Sequence, residues 1–206
     1  MEQFSIWFKI GFGHIIGIEA QDHILFLVAL CACYLVSDWK KLLVLATAFT
    51  IGHSITLALI TFKIIHINTA LVENWLIPLS ILLTSLFNLF WNKDERPLMW
   101  LKYGVATIFG LIHGAAFSNQ LSQLLTSNSK DWFENTTKAT EPSIVMPLLA
   151  FNVGIEAGQI LIIGFILFLS VIFVNILKTK TFTWTTFLSG IAFGVSLSIL
   201  LERTLQ

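Results

Sequence analysis

Charged side chains are scarce in this sequence of 206 residues. Only 12% of its residues are charged, twelve basic and twelve acidic, whereas 56% are hydrophobic. A chain with no net charge and no basic cluster has no field to attract nucleic acid, so no nucleic acid partner is expected. A chain this apolar does not have the composition of a soluble domain. We therefore predict an all-α, polytopic integral membrane bundle whose main partner is the lipid bilayer.

Cysteine is almost absent as well. The two cysteines, Cys31 and Cys33, are two residues apart in an apolar run. On a helix their side chains point about 200° apart, so no disulfide between them is expected. We interpret both as small apolar packing residues, with a thiolate ligand for a soft metal as the alternative.

Apolar runs of the roughly 20 residues that cross a bilayer follow one another along the chain. Residues 4–18 are shorter, and we predict an interfacial or re-entrant half-helix there. The N-terminal sequence MEQFSIWFKIG lacks the pattern of a removable signal peptide, so none is expected. About six spans are predicted to follow, at residues 24–36, 42–62, 73–91, 98–117, 143–177 and 182–201.

The whole chain, residues 1–206, is predicted to be a single transmembrane domain. Its one long polar stretch, residues 118–142, is predicted to be an extramembrane loop. Lysine and arginine are retained on the cytoplasmic side of short loops, which predicts that both termini and this long loop are extracytoplasmic in an inner (cytoplasmic) membrane. The basic residues of the opposite loops are Lys40, Lys41, Lys93, Arg96, Lys178 and Lys180.

Ionisable groups interrupt the apolar runs at four places. An ionisable side chain in hydrocarbon costs several kcal/mol, on the order of 2.5 to 3.5, so it persists where it is paired or used. We interpret the four segments as one site in the outer half of the bilayer, with the imidazoles of His23, His53 and His113 within about 8 Å of one another, as ligands of one metal would be. The segments are GHIIGIEAQDHILF (13–26), FTIGHSIT (49–56), FGLIHGAAF (109–117) and FNVGIEAGQ (151–159).

Imidazoles and carboxylates form a ligand set suited to a divalent transition metal such as Ni, Co, Cu or Zn. His23 is the favoured ligand of the Asp22–His23 pair, and Asp22 is either a ligand or a partner that fixes an imidazole tautomer. The alternative for each polar group is a hydrogen bond between helices. That alternative is favoured for Asn88, Asn152 and Gln159, and the last two are predicted, with Ser54, to lie around the ligands without binding the metal.

Glycines spaced by four residues predict close helix contacts near these groups. The pairs are Gly13 and Gly17, Gly110 and Gly114, Gly154 and Gly158, and Gly190 and Gly194.

Five segments, taken in order, resemble the HupE/UreJ family of membrane proteins associated with nickel uptake. They are GHIIGIEAQDHILFL, FTIGHSITL, VENWLIPLSILLTSLFNL, FGLIHGAAF and FNVGIEAGQ. The broader nickel and cobalt permeases carry a histidine five residues before the aspartate of their Asp-His, where this chain has Gly17, and His14 is the nearest substitute. The resemblance implies a helical nickel permease, with functional positions at His14, Asp22, His23, His53, Glu73, His113 and Glu156.

Two functions fit this ligand set. The favoured one is a metal permease, in which Glu156→Gln is expected to weaken metal binding. The runner-up is an intramembrane metal-dependent hydrolase of the zinc type, because three histidines, a carboxylate and an open water position also suit that chemistry. A structural subunit is the least favoured interpretation, and a homo-oligomer is left open by the sequence.

Overall fold

The computed structural model describes residues 2–17, 20–90, 99–135 and 145–205, and all regular elements in these ranges are helices. This confirms the predicted all-α membrane bundle. Apart from a short 3-10 helix at Val36–Asp38, the helices in these ranges are α1 (Glu2–Ile16), α2 (Gln21–Cys31), α3 (Trp39–Thr61), α4 (Thr69–Phe90), α5 (Met99–Asn135), α6 (Val145–Ile176) and α7 (Thr181–Leu205).

Four of these helices, α3, α4, α6 and α7, are long and apolar enough to cross a membrane within the described residues. The number is five if α1 and α2, which meet at 67°, together form one broken span. The predicted first span at residues 24–36 is therefore corrected. An 11-residue helix rises only about 16 Å, so α2 is a half-helix that needs α1 to complete the crossing.

The predicted loop at residues 118–142 is also corrected in its first part. Helix α5 continues without interruption to Asn135. Leu121, in this part of α5, is buried. The rest of the predicted loop, residues 136–142, lies outside the described residues.

Helix α4 contains a π-helical turn, Val72–Leu76, directly before Pro78. Pro78 has no backbone N–H to donate to the carbonyl one turn earlier, as a regular α-helix requires. The proline therefore explains why the preceding turn departs from α-helical geometry. Glu73 lies in this turn.

Two helix pairs pack closely through glycine. In α3 and α5, a β-carbon on Gly52, Gly110 or Gly114 would overlap a carbonyl oxygen of the partner helix. A β-carbon on Gly11 of α1 or Gly154 of α6 would likewise overlap a carbonyl oxygen of the other helix of that pair. The predicted glycine contacts are thus present in α5 and α6, whereas Gly13, Gly190 and Gly194 have no atom near a built β-carbon.

The C-terminal end of α2 is held by side chains from two other helices. Asn88 donates to the Ala29 carbonyl at 2.7 Å and to the Ser189 hydroxyl at 3.2 Å, and Thr185 donates to the Ala32 carbonyl at 2.9 Å. These bonds satisfy carbonyls that a helix end leaves without partners. Asn88 therefore has the structural role that was favoured for it. Cys31 is buried and Cys33 is half-buried at this end of α2.

Candidate metal centre

Four histidines from four helices meet inside the bundle. His14 comes from α1, His23 from α2, His53 from α3 and His113 from α5. The ring centroid of His23 lies 4.7 Å from that of His14, 6.2 Å from that of His53 and 5.0 Å from that of His113. The predicted approach of His23 to both His53 and His113 is confirmed, and His14 joins them.

Three of the rings place a ligand nitrogen within a common small volume. One ring nitrogen from each of His14, His23 and His53 lies within 4.8 Å of the other two. Two nitrogens on opposite sides of a metal, each bonded at about 2.1 Å, would be about 4.2 Å apart. Small side-chain movements are therefore sufficient to place all three at bonding distance from one ion.

Each imidazole has at least one nitrogen without a hydrogen-bond partner. The Nε2 atoms of His14, His23, His53 and His113 are all buried and unpartnered, as is Nδ1 of His53. Leaving a buried polar atom unsatisfied costs about 1 to 3 kcal/mol, so these five nitrogens are costly unless something binds them. The donor set is entirely nitrogen, which suits a borderline divalent metal.

The second nitrogen of two rings is fixed by a hydrogen bond. Nδ1 of His23 lies 3.1 Å from Oδ1 of Asp22, and Nδ1 of His113 lies 2.9 Å from the Phe109 carbonyl oxygen. Carbonyl and ionised carboxylate oxygens only accept hydrogen bonds, so Nδ1 is the protonated nitrogen in both rings. Nε2 is then the atom with a free lone pair, which is the tautomer that a metal ligand requires.

An aromatic shell surrounds the rings, and sequence reasoning missed it. The Phe117 ring lies 3.8 Å from that of His14, and Phe49 and Phe26 lie 5.1 Å and 5.4 Å from that of His113, measured between centroids. Phe26 and Phe49 also stack on each other at 4.9 Å and are almost fully buried. A signal was present: Phe26, Phe49 and Phe117 lie three or four residues from a histidine, which is one helical turn.

A cavity of about 710 Å³ adjoins the histidines. It reaches His14, His23 and His113 on the inside, and its wall includes Asp22 and the exposed Glu73. Glu73 was predicted at the site, and the structure places it at this cavity, outside the tight group of ring nitrogens. The carboxylates make the cavity polar where it meets the imidazoles.

The remaining predicted residues have partners other than the histidines. Glu156 accepts a hydrogen bond from Thr47 on α3 at 2.6 Å, and Gln159 accepts one from Thr50 at 2.9 Å. Asn152 and Ser54 bond to backbone carbonyls of their own helices. The structure therefore brings together His14, Asp22, His23, His53 and His113, while Glu156 and Gln159 join α6 to α3.

The family described as HupE / UreJ protein matches residues 1–202, nearly the full chain. No curated protein and no solved structure matches the chain.

Proposed function

The chain belongs to the HupE/UreJ family, and on that premise we propose that it is an inner-membrane permease for a divalent transition metal, with nickel as its cargo. The family implies handling of transition metals. The observation that supports a metal cargo at this place is the set of four buried imidazoles whose Nε2 atoms have no partner.

In the proposed mechanism the cation enters through the outer cavity. Glu73 and Asp22 attract it there, since carboxylates in a cleft raise the local concentration of cations. His14, His23 and His53 then replace its water ligands, with His113 as a fourth nitrogen. Asp22 holds His23 in the metal-binding tautomer through the 3.1 Å contact with Nδ1.

Phe26 and Phe49 stack on each other and lie 5.4 Å and 5.1 Å from the His113 ring, and neither lines the outer cavity. Asn88, Thr84 and Ser85 bond to helix carbonyls. The two stacked rings form a phenylalanine layer against the histidines. We propose that release requires this layer to separate, and that Glu156 on α6 takes part in this later step.

The histidine group is tested by His53→Gln, with His66→Gln as the matched control. His53 is fully buried in the group, whereas His66 is the fifth histidine and lies exposed in the connection between α3 and α4. We expect purified wild type and His66→Gln to bind about one nickel ion per chain, and His53→Gln to bind at least tenfold more weakly, because second-shell changes alone cost 10- to 100-fold at metal sites. The measurements are equilibrium dialysis with metal analysis, and thermal melting to check folding.

The same variants separate the permease from the runner-up, an intramembrane hydrolase. The observation that favours the hydrolase is that three clustered histidines leave a fourth coordination position beside a large cavity. A permease accumulates nickel in intact cells and loses this accumulation in His53→Gln. Normal nickel binding by the purified protein without any cellular accumulation would count against transport and in favour of the enzyme.

A further inference from the structure

Five side chains between α3 and α6 bring oxygen atoms together, apart from the clustered ring nitrogens. Thr47 on α3 donates to Oε1 of Glu156 on α6 at 2.6 Å, and Thr50 donates to Oε1 of Gln159 at 2.9 Å. Asn152 lies one helical turn before Glu156. Its amide nitrogen donates to a backbone carbonyl, while its Oδ1 is buried without a hydrogen-bond partner. We call these five residues the oxygen group.

The oxygen group carries one negative charge, on Glu156. Helices α3 and α6 are both long and apolar enough to cross a membrane. Thr47 is exposed and Glu156 is half-buried at the surface between them, so the carboxylate lies beside hydrocarbon. An ionised group there costs several kcal/mol unless it is paired. Among the described residues no basic side chain forms an ion pair with Glu156, so a bound cation with a single charge would balance it.

The spacing of the oxygens suits one small ion. Thr47 and Thr50 are three residues apart on α3, as are Glu156 and Gln159 on α6, and such neighbours are about 5 to 6 Å apart. The point midway between the two hydrogen bonds is then about 3 Å from each of the four oxygens. Calcium, an ion close in size to sodium, bonds oxygen at about 2.3 to 2.6 Å. Side chains on a helix incline toward its N-terminus, which brings Glu156 toward the fifth oxygen, on Asn152.

The oxygens can bind a cation with little loss of their present hydrogen bonds. A hydroxyl oxygen has two lone pairs besides its proton, and carboxylate and amide oxygens have lone pairs to spare. Thr50 also lies 3.2 Å from the Ala46 carbonyl oxygen, which accepts its proton when the Gln159 oxygen turns to the ion. Oxygen donors suit hard cations, whereas nickel suits the imidazoles. A divalent ion would leave a net positive charge inside the span, and a monovalent ion leaves none.

We propose that the oxygen group binds one sodium ion. If the proposed transport function holds, this ion is the one coupled to nickel passage, because it would tie α6 to α3, the helix that carries His53. Coupling ions in membrane transporters bind between helices near the middle of the bilayer, which is where these two spans meet.

The site is tested on the purified protein without nickel. Equilibrium dialysis with radioactive sodium counts the bound ion, and thermal melting is compared in sodium, potassium and choline chloride at equal concentration. We expect about one sodium ion per chain and the highest melting temperature in sodium. Glu156→Gln and Thr50→Val are each expected to weaken sodium binding at least about tenfold, as changes at ion sites do. The matched controls are Glu202→Gln, which changes an exposed carboxylate on α7, and Thr84→Val, which changes a hydroxyl bonded to its own helix. Both should bind sodium like wild type.

The site is overturned if wild type binds no sodium and melts alike in sodium and choline, or if Thr50→Val and a folded Glu156→Gln bind sodium like wild type. Potassium that stabilises the protein as well as sodium would overturn the choice of ion. Coupling is tested in intact cells, where nickel accumulation should need sodium in the medium. Equal accumulation in choline medium, with sodium binding intact in the purified protein, overturns the coupling alone. No nickel accumulation in either medium, with sodium binding intact, counts against the proposed transport function and leaves the site standing.

Discussion

At the scale of single residues, Asp22 is a positioning residue for His23. Its carboxylate accepts from both the backbone N–H of His23 at 2.9 Å and the ring Nδ1 at 3.1 Å. Asp22→Asn keeps the size but removes the charge that selects the tautomer. We expect nickel affinity to fall about 10- to 100-fold. Asp38→Asn, which changes the partner of Lys41 at the start of α3, is the control and should bind nickel like wild type. Equal affinities in the two variants would contradict this role.

Protons and nickel are expected to compete for the same imidazole nitrogens. An imidazole binds a metal only when it is deprotonated, so metal binding releases protons and depends on pH. We expect nickel affinity of the wild type to fall as the pH is lowered from 8 to 5, more steeply than in His53→Gln, which has one imidazole fewer. Dialysis at several pH values measures both slopes, and parallel slopes would show that no proton on His53 competes with the ion between pH 5 and 8.

We expect Glu156 to affect nickel transport more than nickel binding. It bonds to Thr47 on α3, six residues before His53, and is not one of the three residues whose ligand atoms cluster. Glu156→Gln preserves the acceptor for Thr47 while removing the charge. We now expect nickel binding within about twofold of wild type, a smaller effect than the sequence alone predicted, together with reduced cellular uptake. Thr47→Val keeps the carboxylate and controls for loss of the hydrogen bond. A variant that transports normally would make Glu156 purely structural.

At the scale of helices, close packing depends on individual glycines. A methyl group on Gly110 would overlap the Phe49 carbonyl oxygen, whereas one on Gly190 would have no atom within 4 Å. We expect Gly110→Ala to lower the free energy of unfolding by about 1 to 3 kcal/mol, as overpacking does. Gly190→Ala should leave it unchanged or raise it by up to about 1 kcal/mol, because alanine favours the helix. Denaturant titration in detergent compares the two, and an equal loss of stability in both would contradict the packing argument.

The helices themselves could be predicted because apolar runs and the positions of His23, His53 and His113 are visible in the sequence. The site was harder in two respects. The spacing of Phe26 and Phe49 from His23 and His53 is one helical turn, but spacing alone could not show that the two rings stack on each other, because the contact joins two different helices. The sequence also could not show that Glu156 lies apart from the clustered imidazole nitrogens. A carboxylate at this position of α6 has the same sequence spacing whether its partner is a metal ion or Thr47 on α3.

At the scale of the whole molecule, orientation in the membrane stays a prediction. The excess of lysine and arginine places Ser37 on the cytoplasmic side and His66 on the outer side. In a chain carrying Cys31→Ala and Cys33→Ala, we expect a membrane-impermeant thiol reagent to label His66→Cys in intact cells and to label Ser37→Cys only after the cells are opened. Both positions are exposed in the structure. The reverse pattern would invert the topology and place the outer cavity on the cytoplasmic side.

Glycine contacts join α3 to α5 and α1 to α6 as two closely packed helix pairs, and three of the histidines are distributed between them. His53 and His113 belong to the α3 and α5 pair, whereas His14 belongs to the α1 and α6 pair. Hydrogen bonds from Thr47 and Thr50 to Glu156 and Gln159 connect the two pairs. An ion held by these imidazoles would therefore cross-link the pairs. We expect its binding and release to change the packing between the two pairs more than the packing within either pair.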